Sequence, residues 1–289
     1  MLEIDKLTWS RSGSSFRLHI PRLAVGKGIT LLAGRNGAGK SSLMHLLGTA
    51  VLPNQGKISY GGLTTDRNLA SVRASIGFVP TSVSLYEEMT VQKLLHYLSE
   101  LKGGLSPAQL AEHLERFRLT AYRKRKIKTL PQGIRQRIVL AQAWLGSPEY
   151  LFLDEPLNAL DSLERLSFIR QLSIEGRSRT ILVSTHELNE WEAWANRLIW
   201  LDNGMIRFHG TLTAWTSNLD AAVFEGSVTP DQLKTLPEEQ IIYIRADGHS
   251  FRVRVMSAAA PFSSFEKQLP TLEDAYFIRS RLQNTPRTS

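Results

Sequence analysis

The chain has 289 residues, 42% apolar and 21% charged, a composition that excludes a disordered or low-complexity chain and fits one large domain with an appendage. It contains no cysteine, which removes disulfide frameworks, zinc-thiolate sites and thiol nucleophiles and fits a reducing compartment. Lysine and arginine total 35 against 27 acids; residues 215–289 carry a net −1 and the remainder +9, a basic surface suited to phosphate ligands, anionic membranes or nucleic acid.

Residues 1 to about 60 read as short strands around a glycine-rich turn, with strand signals at Ile29–Leu32 and Lys57–Tyr60. From about Tyr86 to Trp144 the pattern is helical, with Val91, Leu94, Leu95 and Leu98 on one face and a helix start at Ser106-Pro107. A buried strand Tyr150–Leu153 is followed by a helix Leu163–Leu172, a strand Thr180–Ser184, a helix Leu188–Ala195 and a strand Arg197–Leu201. Strands alternating with helices imply a parallel sheet covered on its faces. After Gly210 that rhythm breaks, and Ile241–Arg245 with Phe251–Val255 reads as a β-hairpin. The expected division is a domain over 1–217, with a helical insertion over about 81–145, and a small α+β appendage over 218–289. The apolar runs fall far short of the ~18 residues that cross a bilayer, and no basic-then-apolar leader follows Met1. Neither a membrane span nor a signal peptide is expected.

Gly34-Arg35-Asn36-Gly37-Ala38-Gly39-Lys40-Ser41-Ser42 fills the pattern G-x-x-x-x-G-K-[ST], follows the strand Ile29–Leu32 and opens a helix. Glycines let backbone N–H groups turn inward around phosphate oxygens, and the helix N-terminus adds its positive end. Lys40 is placed to reach the β- and γ-phosphates of ATP and Ser41 to give a hydroxyl to Mg²⁺. Tyr150-Leu151-Phe152-Leu153-Asp154-Glu155 is an apolar strand ending in two carboxylates. It sets Asp154 beside the metal and Glu155 as the general base for a water attacking the γ-phosphate. His186 closes the next strand at the same sheet edge, where parallel sheets bind ligands; the other histidines are read as structural.

With these residues in order, the chain resembles the ATP-binding subunit of ABC transporters over about residues 1–212. Asn158-Ala159-Leu160-Asp161 is similar to that family's D-loop and Ser184-Thr185-His186-Glu187 to its switch-histidine segment. Leu130-Pro131-Gln132-Gly133-Ile134-Arg135-Gln136-Arg137 stands in place of the signature LSGGQ. The resemblance implies a P-loop NTPase α/β fold with a parallel core sheet, an antiparallel β subdomain and a helical insertion. It also implies a head-to-tail dimer with ATP sandwiched between the phosphate loop of one subunit and the signature of the other. His186 would hold the γ-phosphate and attacking water, Asp161 would link the two sites, and Gln132 and Gly133 would meet the partner's nucleotide. The implied setting is the cytoplasmic face of the cell membrane, with ATP and Mg²⁺ bound, beside a separate transmembrane permease subunit and a homodimeric or heterodimeric ATPase partner.

Three features depart from the family pattern. Pro131 and Gln132 replace the usual serine and first glycine of the signature, Thr81 replaces a glutamine that reaches the metal, and the place of the adenine-stacking aromatic falls near Arg11, with Trp9 and Phe16 as neighbours. A lost hydrogen bond to a charged group is worth roughly 1.5–3 kcal/mol, so the site receiving this signature is expected to be slow or asymmetric, against ordinary turnover in a drifted subfamily. Trp9 either stacks on adenine or belongs to the core. Thr81–Met89 resembles the surface that receives coupling helices, and Ser84–Val91 with Leu269–Tyr276 resembles exporters whose membrane subunit is a separate chain. The run Arg123–Lys126 with Lys128 reads as a surface for anions or as a solvated face. A soluble ABC ATPase acting on nucleic acid or ribosomes is the competing class. No second cassette or basic-aromatic interleaving supports it, and no nucleic acid is expected.

Overall fold

The computed structural model describes residues 1–11, 13 and 15–284, and it divides into two compact units, 1–186 with 194–209 and 187–193 with 210–289. The break at Gly210 falls earlier than the sequence boundary at 217, because the helix Leu212–Thr216 belongs with the C-terminal unit. Among the described residues no helix is long and apolar enough to cross a membrane.

The first unit opens with β1 (Leu2–Ser10), β2 (Arg17–Val25) and β3 (Gly28–Ala33), followed by α1 (Lys40–Leu47), β4 (Gln55–Tyr60) and β5 (Leu63–Thr64). In β1 and β2 the alternating Leu2, Ile4, Leu18 and Ile20 side chains face inward, as period-two patterning requires. These strands form an antiparallel sheet in the order β2-β1-β4-β5. The chain continues through α2 (Leu69–Ser75) and β6 (Ile76–Val79) into three helices, α3 (Val91–Glu100), α4 (Pro107–Arg116) and α5 (Gln132–Ala143). Thr90 caps α3 through its hydroxyl, and Ser106 with Gln109 forms a capping box on α4, where the sequence marked a start.

Next come β7 (Tyr150–Asp154), α6 (Ser162–Glu175), β8 (Thr180–Ser184), β9 (Arg197–Asp202) and β10 (Met205–Thr211). The core sheet runs β10-β9-β3-β8-β7-β6, with β9, β3, β8, β7 and β6 paired in parallel. Every residue of β7 and β8 is buried, which explains their continuous apolar runs rather than an alternation. Glu175, at the end of α6, ties the insertion to this core: it accepts hydrogen bonds from Trp144 Nε1 at 2.7 Å, Gln171 Nε2 at 3.0 Å and Arg116.

The helix expected over 188–195 is instead a short 3-10 turn, Leu188–Trp191. Tertiary bonds override the local pattern there. Fully buried Trp191 anchors the turn, Asn189 Nδ2 donates to Glu273 at 3.0 Å, and Asn196 closes two bonds with the backbone of Ile29.

The second unit contains α7 (Leu212–Thr216), β11 (Ala222–Val228), α8 (Pro230–Leu233), β12 (Ile241–Asp247), β13 (Ser250–Ser257), β14 (Phe265–Gln268) and α9 (Leu272–Asn284). Its antiparallel sheet runs β12-β13-β11-β14, and the predicted hairpin is there, its strands extended to leave Gly248 and His249 as the turn. One sheet face covers a core of Phe224, Val228, Val253, Val255 and Phe265. Arg254 is 8% exposed and is neutralised by Asp274, which is 2% exposed and lies 2.6 Å away, and by Glu225 at 2.8 Å.

Breaking a buried ion pair strands the surviving charge. Asp274→Ala is therefore expected to destabilise the C-terminal unit by about 3 kcal/mol, with Asp274→Asn between it and wild type. A urea midpoint for Asp274→Ala within error of wild type would show that Glu225 alone satisfies Arg254.

Candidate functional site

The C-terminal ends of β3, β7 and β8 open on one cleft of about 630 Å³. The strand register fixes who meets there: Leu32 lies opposite Ser184, and Ser184 opposite Asp154. From β3 the chain turns through the glycine-rich loop into α1, so Arg35, Asn36, Gly37, Gly39, Lys40, Ser41 and Ser42 all line the cleft. Gly34 and Ala38 belong to the loop without lining the cleft; a side chain at Gly34 would strike the Leu201 carbonyl at 2.4 Å. Gly39 has φ 105, and a Cβ there would also lie 2.5 Å from the Phe16 ring, so the turn into α1 has room only for glycine.

Lys40 is 7% exposed, and its ammonium donates to the carbonyls of Gly34 at 2.6 Å and Arg35 at 3.3 Å. Burial lowers its pKa below the ordinary lysine value, and the Glu155 and Asp154 carboxylates act in the opposite direction. Asp154 is 1% exposed, and both of its oxygens are held by hydroxyls: Ser184 donates to Oδ1 and Thr81 Oγ1 to Oδ2 at 2.5 Å. Thr81 therefore reaches the carboxylate directly from the first residue of the insertion. With Ser41 on the facing loop, this set of carboxylate and hydroxyl oxygens suits a hard cation such as Mg²⁺, which takes one or two carboxylates and completes its shell from phosphate and water.

Glu155 sits at φ 50, in the left-handed region, with its N–H bonded to Ser184 O at 3.2 Å and Ser184 Oγ at 3.1 Å. A non-glycine residue held this way is characteristic of sites where the surroundings over-determine the backbone. Its Oε1 lies 3.1 Å from His186 Nε2. Burial, and then the Lys40 charge, hold the imidazole below its ordinary pKa, with Asp154 acting the other way. At neutral pH the ring is thus uncharged, and its N–H can serve a carboxylate or a phosphate oxygen.

Trp9, Arg11, Phe16 and Val51 also line the cleft. Trp9 lines the cleft while packing against the core. His45 and Val51 also line it and were missed. His45 carries a helical-spacing signal one turn beyond Ser41, and its Nδ1 lies 2.6 Å from the Ser41 carbonyl.

Gln132, Gly133 and Asp161 do not line this cleft. Gln132 and Gly133 form the first turn of α5 behind Pro131, which supplies no side-chain cap, and Asp161 Oδ1 caps α6 by accepting from Glu164 N at 2.9 Å.

The family described as ABC transporter matches residues 22–158. The chain is 30% identical over 199 residues to the ABC transporter ATP-binding protein NatA of Bacillus subtilis (strain 168), covering 66% of this chain and 80% of that protein. It is 32% identical over 186 residues to the bacitracin transport ATP-binding protein BcrA of Enterococcus faecalis, covering 63% of this chain and 59% of that protein, less than two thirds of its length. A solved dimeric structure of a post-hydrolysis ATP-binding cassette with ADP and Pi superposes with TM-score 0.65 at 22% identity, over 73% of this chain and 99% of that one.

The geometry around His186 sets a measurable protonation state. Its imidazole is expected to titrate below the ordinary value of about 6.5 in a histidine NMR titration, and Lys40→Met to move that midpoint upward by removing the cation. An unmoved midpoint in Lys40→Met would mean that the two side chains do not sense each other.

Proposed function

The chain belongs to the ABC transporter ATP-binding family, an ATPase family, and from that membership we propose that the cleft between the β3–α1 loop and the ends of β7 and β8 binds and hydrolyses ATP. The observation that carries this reading is the convergence of Lys40, Asp154, Glu155 and His186 on one cleft with an aromatic wall. The adenine lies against Trp9, and the phosphates take the loop N–H groups and the Lys40 ammonium in place of the Gly34 and Arg35 carbonyls. Ser41 and Asp154 would hold Mg²⁺, which when bound offsets charge on the β- and γ-phosphates. Glu155 orients the attacking water and takes its proton as the water oxygen bonds to the γ-phosphorus and the bond to the β–γ bridging oxygen breaks, leaving ADP and phosphate. His186, which faces Glu155 Oε1 at 3.1 Å, turns its single N–H to the γ-phosphate when ATP is bound and leaves the carboxylate to the attacking water.

Gln132, Gly133 and Asp161 lie outside this cleft, which supports a reading in which they serve the nucleotide of a second ATPase chain. Pro131 offers neither hydroxyl nor N–H there, so the composite site is slower than one closed by a serine-bearing signature, and pairing with a different cassette gives an asymmetric dimer. The work is transport through a separate membrane subunit at the cytoplasmic face, in the export direction. Similarity to a bacitracin transport protein supports transport, and the Ser84–Val91 segment with the helix that begins within Leu269–Tyr276 supports the export direction and the separate membrane subunit.

Two variants separate binding from chemistry. Lys40→Ala is expected to weaken ATP binding by at least roughly tenfold, the loss of one charge-assisted contact. Glu155→Gln keeps wild-type affinity, lowers the hydrolysis rate by roughly 10²–10⁴-fold, and accumulates an ATP-bound dimer on gel filtration. Full turnover by Glu155→Gln would remove Glu155 from the role of base, and unchanged ATP affinity in Lys40→Ala would remove the loop from phosphate binding.

A further inference from the structure

The hydrogen-bonding side chains of the nucleotide cleft are not shared evenly among the elements that build it. Every lining side chain that can accept a hydrogen bond belongs to the phosphate loop, to α1, to Thr81 or to the residues that end or follow β7 and β8. The paired strands β1 and β2 contribute Trp9, Arg11 and Phe16, and the segment after α1 contributes Val51. The polar side-chain groups of that second set are the Arg11 guanidinium and the Trp9 indole N–H, and both are donors with no capacity to accept.

Strand pairing fixes where Arg11 stands. The β1–β2 ladder ends at the pair Ser10 and Arg17, so Arg11 and Phe16 are the first residues beyond it on the two strands. Phe16 lies against the turn into α1, where a Cβ at Gly39 would come within 2.5 Å of its ring. Trp9 and Phe16 both pack against the core, whereas Arg11 is exposed and among the described residues has no carboxylate partner. A nucleotide whose phosphates lie in the loop 34–42 therefore has its base among two aromatic rings and one unneutralised guanidinium.

Rings do not tell one purine from another, because every base has a π-face. Edges do. Guanine presents two acceptors side by side, O6 and N7, which a guanidinium meets with two parallel N–H groups; adenine presents the N7 acceptor beside its N6 amine, a donor that calls for an acceptor. A wall whose side-chain groups only donate selects the acceptor pair.

Resting on the reading of this cleft as the nucleotide site, we propose that Arg11 is a specificity-determining residue that reads the O6 and N7 edge of guanine, so that the cleft binds GTP more tightly than ATP. The ring contacts and the phosphate contacts are common to both nucleotides, and both are hydrolysed by the same groups.

The test is competition of ATP, GTP and ITP against a fluorescent ribose-labelled ADP on the full chain. GTP is expected to bind roughly tenfold tighter than ATP, the discrimination of one bidentate contact. ITP keeps O6 and N7 and lacks only the 2-amino group, so it follows GTP. Arg11→Ala brings GTP to the ATP value and leaves ATP unchanged, which also reports its fold. Arg11→Gln reverses the order, because a carboxamide offers one acceptor and one donor to adenine N6 and N7. Equal affinity for ATP and GTP in the wild type, a GTP preference that survives Arg11→Ala, or ITP grouping with ATP would overturn the proposal and leave the nucleotide site standing. Lys40→Ala is the separate control: it is expected to weaken ATP and GTP by the same factor, and no loss of either would overturn the reading of the cleft and this proposal with it.

Discussion

The arrangement of the nucleotide cleft rests on one buried carboxylate. Asp154 ends a strand in which every residue is enclosed, and an ionised group there is tolerable only if the protein supplies the interactions that water would have given. Two hydroxyls do so, Ser184 on one oxygen and Thr81 on the other, while Lys40 provides the opposing charge nearby. Removing any of these partners would leave Asp154 or Lys40 to bear a desolvation cost that neither can shed by turning to solvent.

Because those partners come from β8, from the second residue after β6 and from α1, the carboxylate also fixes the relative heights of the strands. The parallel register that sets Asp154 beside Ser184 leaves Glu155 and His186 just past the sheet, close enough for a 3.1 Å contact. The left-handed conformation of Glu155 follows from the same constraint. Its N–H is drawn to both oxygens of Ser184, and the chain must turn sharply to leave the sheet. Thr81 adds a link to the helical insertion, tying Asp154 to the first residue of the segment that runs on to α3 and α5.

Much of this was legible in the residues, and the parts that were not share a physical cause. The loop 34–42, the strand ends at Asp154 and Ser184, and the helix start at Ser106 are local in sequence, so spacing and residue type were enough. The segment 188–195 was misread as a helix because its fate is decided by Asn189 with Glu273 and by Asn196 with Ile29, partners that lie 84 and 167 residues away. His45 and Val51 were missed because each reads as an ordinary helix or loop residue until the fold turns it toward the phosphate loop. The hydroxyl contact of Thr81 was equally invisible: a threonine in place of a glutamine reads as a shortened reach, whereas the backbone brings it within 2.5 Å of the carboxylate.

The signature segment shows how a departure in sequence can leave a geometry intact. Pro131 gives α5 no side-chain cap, and its own missing N–H removes one backbone donor from the turn. Arg135 takes over the anchoring: its guanidinium donates to the carbonyls of Leu130 at 3.1 Å and Lys128 at 2.9 Å while pairing with Glu87 at 3.2 Å. Gln136 adds a bond to the Pro156 carbonyl at 3.1 Å, joining α5 to the segment that follows the catalytic strand. The first turn of α5 is therefore positioned by residues on its inner side, and the exposed position of Gln132 is free of any structural duty. Placement is thus secured from the inner side, while the tip of the segment presents the exposed Gln132 amide beside a proline that has no N–H to offer.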